Sequence, residues 1–264
     1  MTARRAALLA AVFLLVAAAP DGPARRQRLT NAGVTFARPV FETADTVRAA
    51  TRLDPNHKDL LLLLFRNLPE AKASPDPFGG GRTCAVVGNS GNLKDAGYGR
   101  EIDGHDVVIR MNDAPVKGYE KDVGTKTTIV IGAPAKTPVV QGPTIHYITY
   151  CDRIPETLKT INNVLTDHFL DHYRSFHVLD HRFFASLTRY TDGRPSTGLL
   201  SVFLALNACD KVDVYGFGKD PSGEWDHYYT QAKWNPGVHD VSGEEKTLNE
   251  LAAKKLLTIH TGRR

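Results

Sequence analysis

Apolar residues along this chain fall into short runs that alternate with helical spacings and with glycine-rich breaks. Cys84–Val87, Asp106–Met111, Thr127–Ile131 and Val212–Tyr215 are brief, β-branched and almost wholly apolar. That pattern predicts strands buried on both faces. Ile145–Tyr150 adds β-branched and aromatic residues, and Leu257–His260 reads as a last strand. Between them, Asn92–Tyr98 reads as a short helix, Leu158–Tyr173 has helical spacing, and Ser196–Ala208 is apolar enough to be a buried helix with Pro195 in its first turn. Gly243–Lys255 reads as a helix with Glu244 and Glu245 at its positive end. This alternation predicts an α/β fold, one mostly parallel sheet flanked by helices.

Upstream the pattern changes. Arg4 and Arg5 precede an unbroken apolar run, Ala6–Ala19, closed by Pro20. A membrane span usually needs about 17–25 residues, so the run is short for one and fits the apolar region of a signal peptide. Residues 21–56 are rich in Ala, Arg, Thr and Pro, with little periodicity, and read as a stem or linker. Leu60–Phe65 lies in a predicted helix, and Ser74–Gly81 is a loop. The expected division is 1–20 signal-anchor or signal peptide, 21–56 stem, and 57–264 catalytic domain. At 264 residues the chain has room for one sizeable domain.

Charge adds little. Lys and Arg number 33 and Asp and Glu 29, a net charge of +4. That balance suits an anionic ligand. There is no basic stripe with interleaved aromatics, so nucleic acid is not an expected partner.

Several segments carry chemistry. Gly88-Asn89-Ser90-Gly91 links a strand to a helix, where glycines admit a ligand to the backbone and helix N–H groups face an anion. Alone it is better explained as a plain strand-to-helix turn. It is neither a dinucleotide fingerprint nor a P-loop. Ser196 and Thr197 after Pro195 bring hydroxyls to a helix start, as cap or as ligand contacts. Tyr215-Gly216-Phe217-Gly218 ends a strand. No Asp-x-Asp triplet occurs, so the chain lacks the usual diphosphate–metal anchor. His168 and His172, four apart, have zinc-ligand spacing but read better as a solvated face.

Taken together and in order, these segments resemble the sialyl motifs of the animal-type sialyltransferases. Cys84–Thr128 is similar to the large motif, Pro195–Gly218 to the small motif, and His227-Tyr-Tyr-Thr230 to the third. His239-Asp-Val-Ser-Gly-Glu244 is similar to the very small motif. The resemblance covers about two thirds of the chain. The contexts Gly118–Thr127 and Gly237–Asp240 resemble most the enzymes that make α2,3 links to galactose.

The resemblance implies a single Rossmann-like domain, the GT-A-variant sialyltransferase fold, and transfer of sialic acid from CMP-sialic acid to a terminal galactose of a glycan. Asn89, Ser90, Asn112, Ser196, Thr197 and Gly198 would contact the donor, with Phe217 and Gly218 beneath it. His227 would bind the phosphate and His239 would be the base. Trp225 is a candidate acceptor contact, with packing an equal reading. Glu244 is expected as a scaffold residue rather than an acid catalyst. Arg194 stands where related enzymes often carry a phosphate-binding tyrosine, and Tyr150 is a weak candidate for a further one. No metal or cofactor is expected beyond the donor substrate. Other readings are an α2,6-sialyltransferase acting on GalNAc and a non-catalytic nucleotide-binding relative.

The three cysteines, Cys84, Cys151 and Cys209, allow three pairings. Cys84 and Cys209 lie in the two motifs that must meet, and the resemblance implies that bridge. It would close a loop of about 125 residues, stabilising by at most roughly 5 kcal/mol in the chain-entropy model. Family members are usually single-span Golgi proteins. The paired arginines agree with a cytosolic N-terminus, favouring a signal-anchor with a lumenal catalytic domain over secretion after cleavage. No Asn-x-Ser/Thr sequon is present; Asn207-Ala-Cys209 is a rare variant that would compete with the bridge.

Overall fold

The computed structural model describes residues 23–35, 78, 82–132, 142–150, 173–179, 181–220, 222–223, 227–230 and 239–262. The leader, the Leu60–Phe65 helix, residues 158–172, Cys151 and Trp225 lie outside them. Among the described residues, no helix is long and apolar enough to cross a membrane.

Among the described residues, seven strands form one sheet: β1 Thr83–Val87, β2 Val107–Met111, β3 Ile129–Gly132, β4 Gly142–Tyr150, β5 Tyr173–Leu179, β6 Lys211–Tyr215 and β7 Thr258–His260. Their order is β5-β4-β3-β2-β1-β6-β7, and all pairs are parallel. The chain moves outward from β1 through β2 to β5, then returns to place β6 on the other side of β1. That reversal is the Rossmann-like switch point, where the loops leaving adjacent strands part and leave a crevice.

The central strands are apolar because both faces are covered. In β1, Cys84 and Val86 join a core cluster with Phe203 and Leu206 of a helix, Thr197–Ala208. Ala85 and Val87 point the other way, into a cluster with Leu93, Ile102 and Val123. Polar exceptions include Asp213 of β6, at 2% exposure, and Arg110 of β2, at 3%. The Arg110 guanidinium donates to the carbonyls of Val123 and Lys126 and to Thr127 Oγ1. Burial pushes its pKa down to about 10.

Among the described residues the helices are α1 Pro23–Asn31, α2 Gly99–Asp103, α3 Glu120–Val123, α4 His181–Ser186, α5 Thr197–Ala208 and α6 Val241–Ala253, with 3₁₀ turns at Gly91–Leu93 and Leu187–Tyr190. Along α5 every residue but Gly198 is buried, as its uniform apolarity requires. Ser196 is its N-cap, accepting from Leu199 N at 3.1 Å, so Pro195 lies just before the helix rather than in its first turn.

Other expectations change. A helix over Asn92–Tyr98 does not form. The Asp122 carboxylate accepts from the N–H groups of Asp95 and Gly97, at 3.0 and 2.9 Å, and both residues have positive φ. Tyr173 opens β5 instead of closing a helix. Within the stretch read as an aperiodic stem, α1 forms and Leu29 and Val34 enter the core. Arg28 Nη1 also donates to Asp210 O at 2.8 Å.

Cys84 and Cys209 are joined by a disulfide, with Cα atoms 6.0 Å apart. It ties the start of β1 to the end of α5, and both cysteines are fully buried. Asn207 is 2% exposed, so the variant sequon is closed to glycosylation. Replacing both cysteines with serine is expected to cost about 2–5 kcal/mol. Thermal unfolding under non-reducing conditions checks this; an unchanged midpoint would mean that the bridge adds nothing.

Candidate active site

At the switch point the β1 and β6 loops touch through backbone alone. Gly88 N donates to Tyr215 O at 2.7 Å, and Ser90 N to Gly216 O at 3.0 Å. A Cβ on Gly88 would overlap the Gly216 carbonyl, and one on Gly216, at φ +71°, would sit 2.4 Å or so from Leu93 Cδ1 by the same close approach. Only glycines permit this contact. Ser90 Oγ donates to Gly218 O at 2.6 Å, and Asn92 Nδ2 donates to Phe217 O at 2.6 Å. The two loops are thus laced together.

Above them lies a cavity of about 200 Å³. It is lined by Gly88, Asn89 and Ser90 after β1, Met111 and Asn112 after β2, and Gly216, Phe217 and Gly218 after β6. Ser196, Thr197 and Gly198 from the start of α5 complete one wall, with His227, His239, Val241 and Glu244. All ten sequence-derived donor and catalytic residues in the described part therefore meet at one site. A groove of about 600 Å³ adjoins it, sharing Phe217 and Gly218 and running between α6 and the end of β7.

Several wall residues have defined tasks. Asn89 Oδ1 is buried and accepts no hydrogen bond from the protein, which leaves it as an acceptor at the cavity. Asn112 holds φ +54°, the left-handed region, with its N–H donating to Ile131 O at 2.8 Å. A Cβ on Gly198 would lie 2.9 Å from Phe217 Cε1, so this glycine makes room for the ring. Ser90 and Ser196 are more occupied than a pure ligand role implies. Ser90 Oγ, besides its bond to Gly218, accepts from Asn92 N. Ser196 Oγ donates to Glu244 Oε2 at 2.5 Å, and Ser196 N donates to Glu244 Oε1 at 2.6 Å.

Glu244, 7% exposed, thus clamps α6 to the start of α5. Burial raises its pKa, and the Ser196 bonds partly offset this. It serves as the scaffold residue expected. Its neighbour Asp240 caps α6 through Gly243 N and accepts from Asp192 N at 2.9 Å.

The two histidines come from different segments. His227 pairs with Ser90 in an antiparallel bridge, and Tyr228 N donates to Asn89 O at 3.0 Å. The His227 ring stacks on Tyr229, with centroids 5.0 Å apart. Tyr228 is anchored by its hydroxyl to Pro115 O at 2.6 Å and packs edge-on against Tyr119.

His239 Nδ1 lies 3.2 Å from Arg194 O. A carbonyl only accepts, so Nδ1 carries the proton and Nε2 holds the lone pair when the ring is neutral. Burial lowers the His239 pKa. The bond to Arg194 O acts against this, and the Arg194 charge adds to it. Arg194 thus reaches the site through its carbonyl; its guanidinium is not among the lining groups. That backbone role, and the wall positions of Met111 and Val241, carry no signal in the residue types alone, whereas Gly88 and Gly216 lie in the glycine segments already singled out. Among the described residues, no three His, Cys, Asp or Glu side chains gather to hold a metal ion.

Comparison with known proteins agrees with this geometry. Residues 43–256 match the model of glycosyltransferase family 29 (sialyltransferase). The human CMP-N-acetylneuraminate-beta-galactosamide-alpha-2,3-sialyltransferase 1 is 38% identical over 256 residues, covering 83% of this chain and 72% of the human protein. The mouse protein of the same name is 37% identical, covering 83% and 73%. A crystal structure of a mammalian sialyltransferase in complex with Gal-beta-1-3GalNAc-ortho-nitrophenol superposes with a TM-score of 0.72 at 30% identity, covering 92% of this chain and 97% of that one. The family match, the relatives and the crevice lined by all four motifs lead to one conclusion: this chain belongs to glycosyltransferase family 29, the sialyltransferases.

Proposed function

We propose that this protein transfers sialic acid from CMP-sialic acid to the 3-hydroxyl of a terminal galactose, with inversion at the sialic acid anomeric carbon and His239 as base. The observation that carries the reading is the placement of His239, its Nδ1 held by the Arg194 carbonyl, in the lining of one cavity with Asn89, Thr197 and His227. The donor and linkage follow the human and mouse relatives, whose names specify CMP-N-acetylneuraminate and an alpha-2,3 product. Gal-beta-1-3GalNAc is the acceptor unit favoured, since the mammalian sialyltransferase of similar fold binds its nitrophenol derivative.

In this reading the nucleotide lies on the glycine-laced loops. Asn89 Oδ1 accepts from it, and the Asn112 side chain meets it from the end of β2. The Phe217 ring packs beneath, and the adjoining groove extends the space beyond the 200 Å³ cavity. The acceptor hydroxyl attacks the anomeric carbon from the side opposite the phosphate. As the new C–O bond forms, the hydroxyl proton passes to His239 Nε2. The bond to the phosphate oxygen breaks, and its electron pair leaves with CMP. His227 donates to that phosphate as charge builds, where a fixed donor helps most. A single phosphate carries less charge than a diphosphate, so no divalent ion is assigned a role.

Residues 1–20 are proposed as a signal-anchor, with Arg4 and Arg5 on the cytosolic side and the catalytic domain in the Golgi lumen. Trp225, two positions before His227 in the sequence, is retained as a proposed acceptor contact.

His239→Ala is expected to lower kcat by about 10²–10⁴-fold while CMP affinity stays within a few-fold, measured by product formation and by calorimetry. If product forms at the wild-type rate, His239 is not the base. If wild-type protein binds CMP yet makes no α2,3-sialylated product from Gal-beta-1-3GalNAc, transfer itself is refuted. Burial holds the His239 pKa below the ordinary histidine value, so the ring gives up its proton at lower pH than an exposed histidine does. The acidic limb of the kcat profile should therefore fall below pH 6.5 and vanish in His239→Ala residual activity. A limb above pH 7 would contradict this assignment.

A further inference from the structure

One charged cluster has no part in the transfer chemistry. Asp213 of β6 is 2% exposed and is faced by three donors. His105 Nε2 lies 2.9 Å from Oδ2, Lys211 Nζ 2.8 Å from the same oxygen, and His260 Nε2 3.0 Å from Oδ1. The second nitrogen of each ring also meets an acceptor. His105 Nδ1 lies 3.0 Å from the Glu101 carbonyl and 3.3 Å from that of Ile102. His260 Nδ1 lies 3.2 Å from Glu101 Oε1.

Carbonyl oxygens and carboxylates offer no proton, and a neutral imidazole has one N–H. Only a doubly protonated ring satisfies both of its neighbours. The geometry therefore fits two imidazolium rings flanking one buried carboxylate. The remaining surroundings are Tyr215, whose hydroxyl donates to Glu101 Oε1 at 2.8 Å, and Tyr98, whose hydroxyl donates to Thr261 O. Lys126 Nζ donates to the His105 carbonyl, so two lysines, Lys211 and Lys126, stand against two carboxylates, Asp213 and Glu101.

The cluster joins four pieces of the fold: β6, β7, α2 and the turn before β2. It also backs the donor loop. The Tyr215 ring stacks on His260 with centroids 4.3 Å apart, and Gly216–Gly218 follow directly. Beyond His260, the Gly262 backbone is pressed on the Asn92 carbonyl so closely that a Cβ would overlap it.

We propose that His105, Asp213 and His260 form a proton-operated latch fastening strand β7 and the residues after it to the rear of the Tyr215–Gly218 loop. With His105 charged, both of its nitrogens donate and the latch is closed. With His105 neutral, one lone pair faces an oxygen, and β7 loosens.

The sign follows from linkage. Burial opposes charge on His105, but the hydrogen bonds and the Asp213 charge outweigh it and raise the pKa above 6.5. Asp213 is held well below the usual carboxylate range, against the effect of its burial, by His105, His260 and Lys211. The native state thus binds more protons than the unfolded chain in this window. The stabilisation is fully present below about pH 6.5 and is lost as pH rises through the His105 value. His239, with its lowered pKa, acts in the opposite direction and cannot supply this slope.

The test is the thermal midpoint of the full chain between pH 5.5 and 8, without donor or acceptor, so its outcome is independent of the transfer reading. The wild-type midpoint should fall by roughly 2–4 °C or more across pH 6–8. Asp213→Asn should be less stable at pH 6 and should lose at least half of that fall. Should Asp213→Asn not fold, His105→Gln, which removes the titrating ring, should flatten the slope in the same way. Amide exchange in residues 258–261 should rise with pH beyond the intrinsic acceleration. A wild-type midpoint that is flat or rising, a slope unchanged in the variant that folds, or no excess exchange in residues 258–261 would overturn the proposal.

Discussion

The close backbone contact between Gly88 and Gly216 is the constraint on which the site depends. Parallel strands β1 and β6 end side by side, and their loops must turn in opposite directions. Side chains at the turn would force the loops apart and lift Asn89 and Phe217 from their places on the cavity wall. With both positions reduced to hydrogen, peptide groups bond directly, and Ser90 and Asn92 add two side-chain ties. The floor of the cavity is thus largely fixed backbone, preorganised before any ligand arrives.

Around this floor the polar groups divide into those that hold the frame and those that face the cavity. Glu244, Ser196 and Asp240 set the angle between α5 and α6, and through it the position of His239. The Arg194 carbonyl then decides which nitrogen of that ring is basic. Arg194 acts on the ring through its backbone carbonyl as well as its charge, and the carbonyl matters because it selects the tautomer that a base requires.

Most of the sheet was legible in the sequence because strands covered on both faces must be apolar. The runs around Cys84, Val108, Ile129 and Val214 had no other plausible use. Legibility failed where tertiary bonds overrode local preference. Asp122 captures the amides of Asp95 and Gly97 from 25 or more residues away and turns a predicted helix into turns. Tyr173–Leu179 mixes Arg, Ser and His with apolar residues, so its strand pattern was hidden. The segment holding Leu29 and Val34 looked like linker because two apolar contacts suffice to seat it. At the site, the histidines and asparagines were found through the resemblance of ordered motifs, since no single residue type distinguished His239 from the other nine histidines. The Asp213 cluster was missed because its members, at positions 101, 105, 213 and 260, converge only when β7 reaches β6.

The strand order has a consequence for biosynthesis. β1 is an inner strand, yet its partner β6 is made some 125 residues later, as is the cysteine that pairs with Cys84. Until then one edge of β1 has no ladder and one thiol has no mate. Such long-range closure is slow compared with local contacts. The crevice consequently forms only after β6 has been made, and until Cys209 is synthesised the only pairing these three cysteines allow is Cys84 with Cys151.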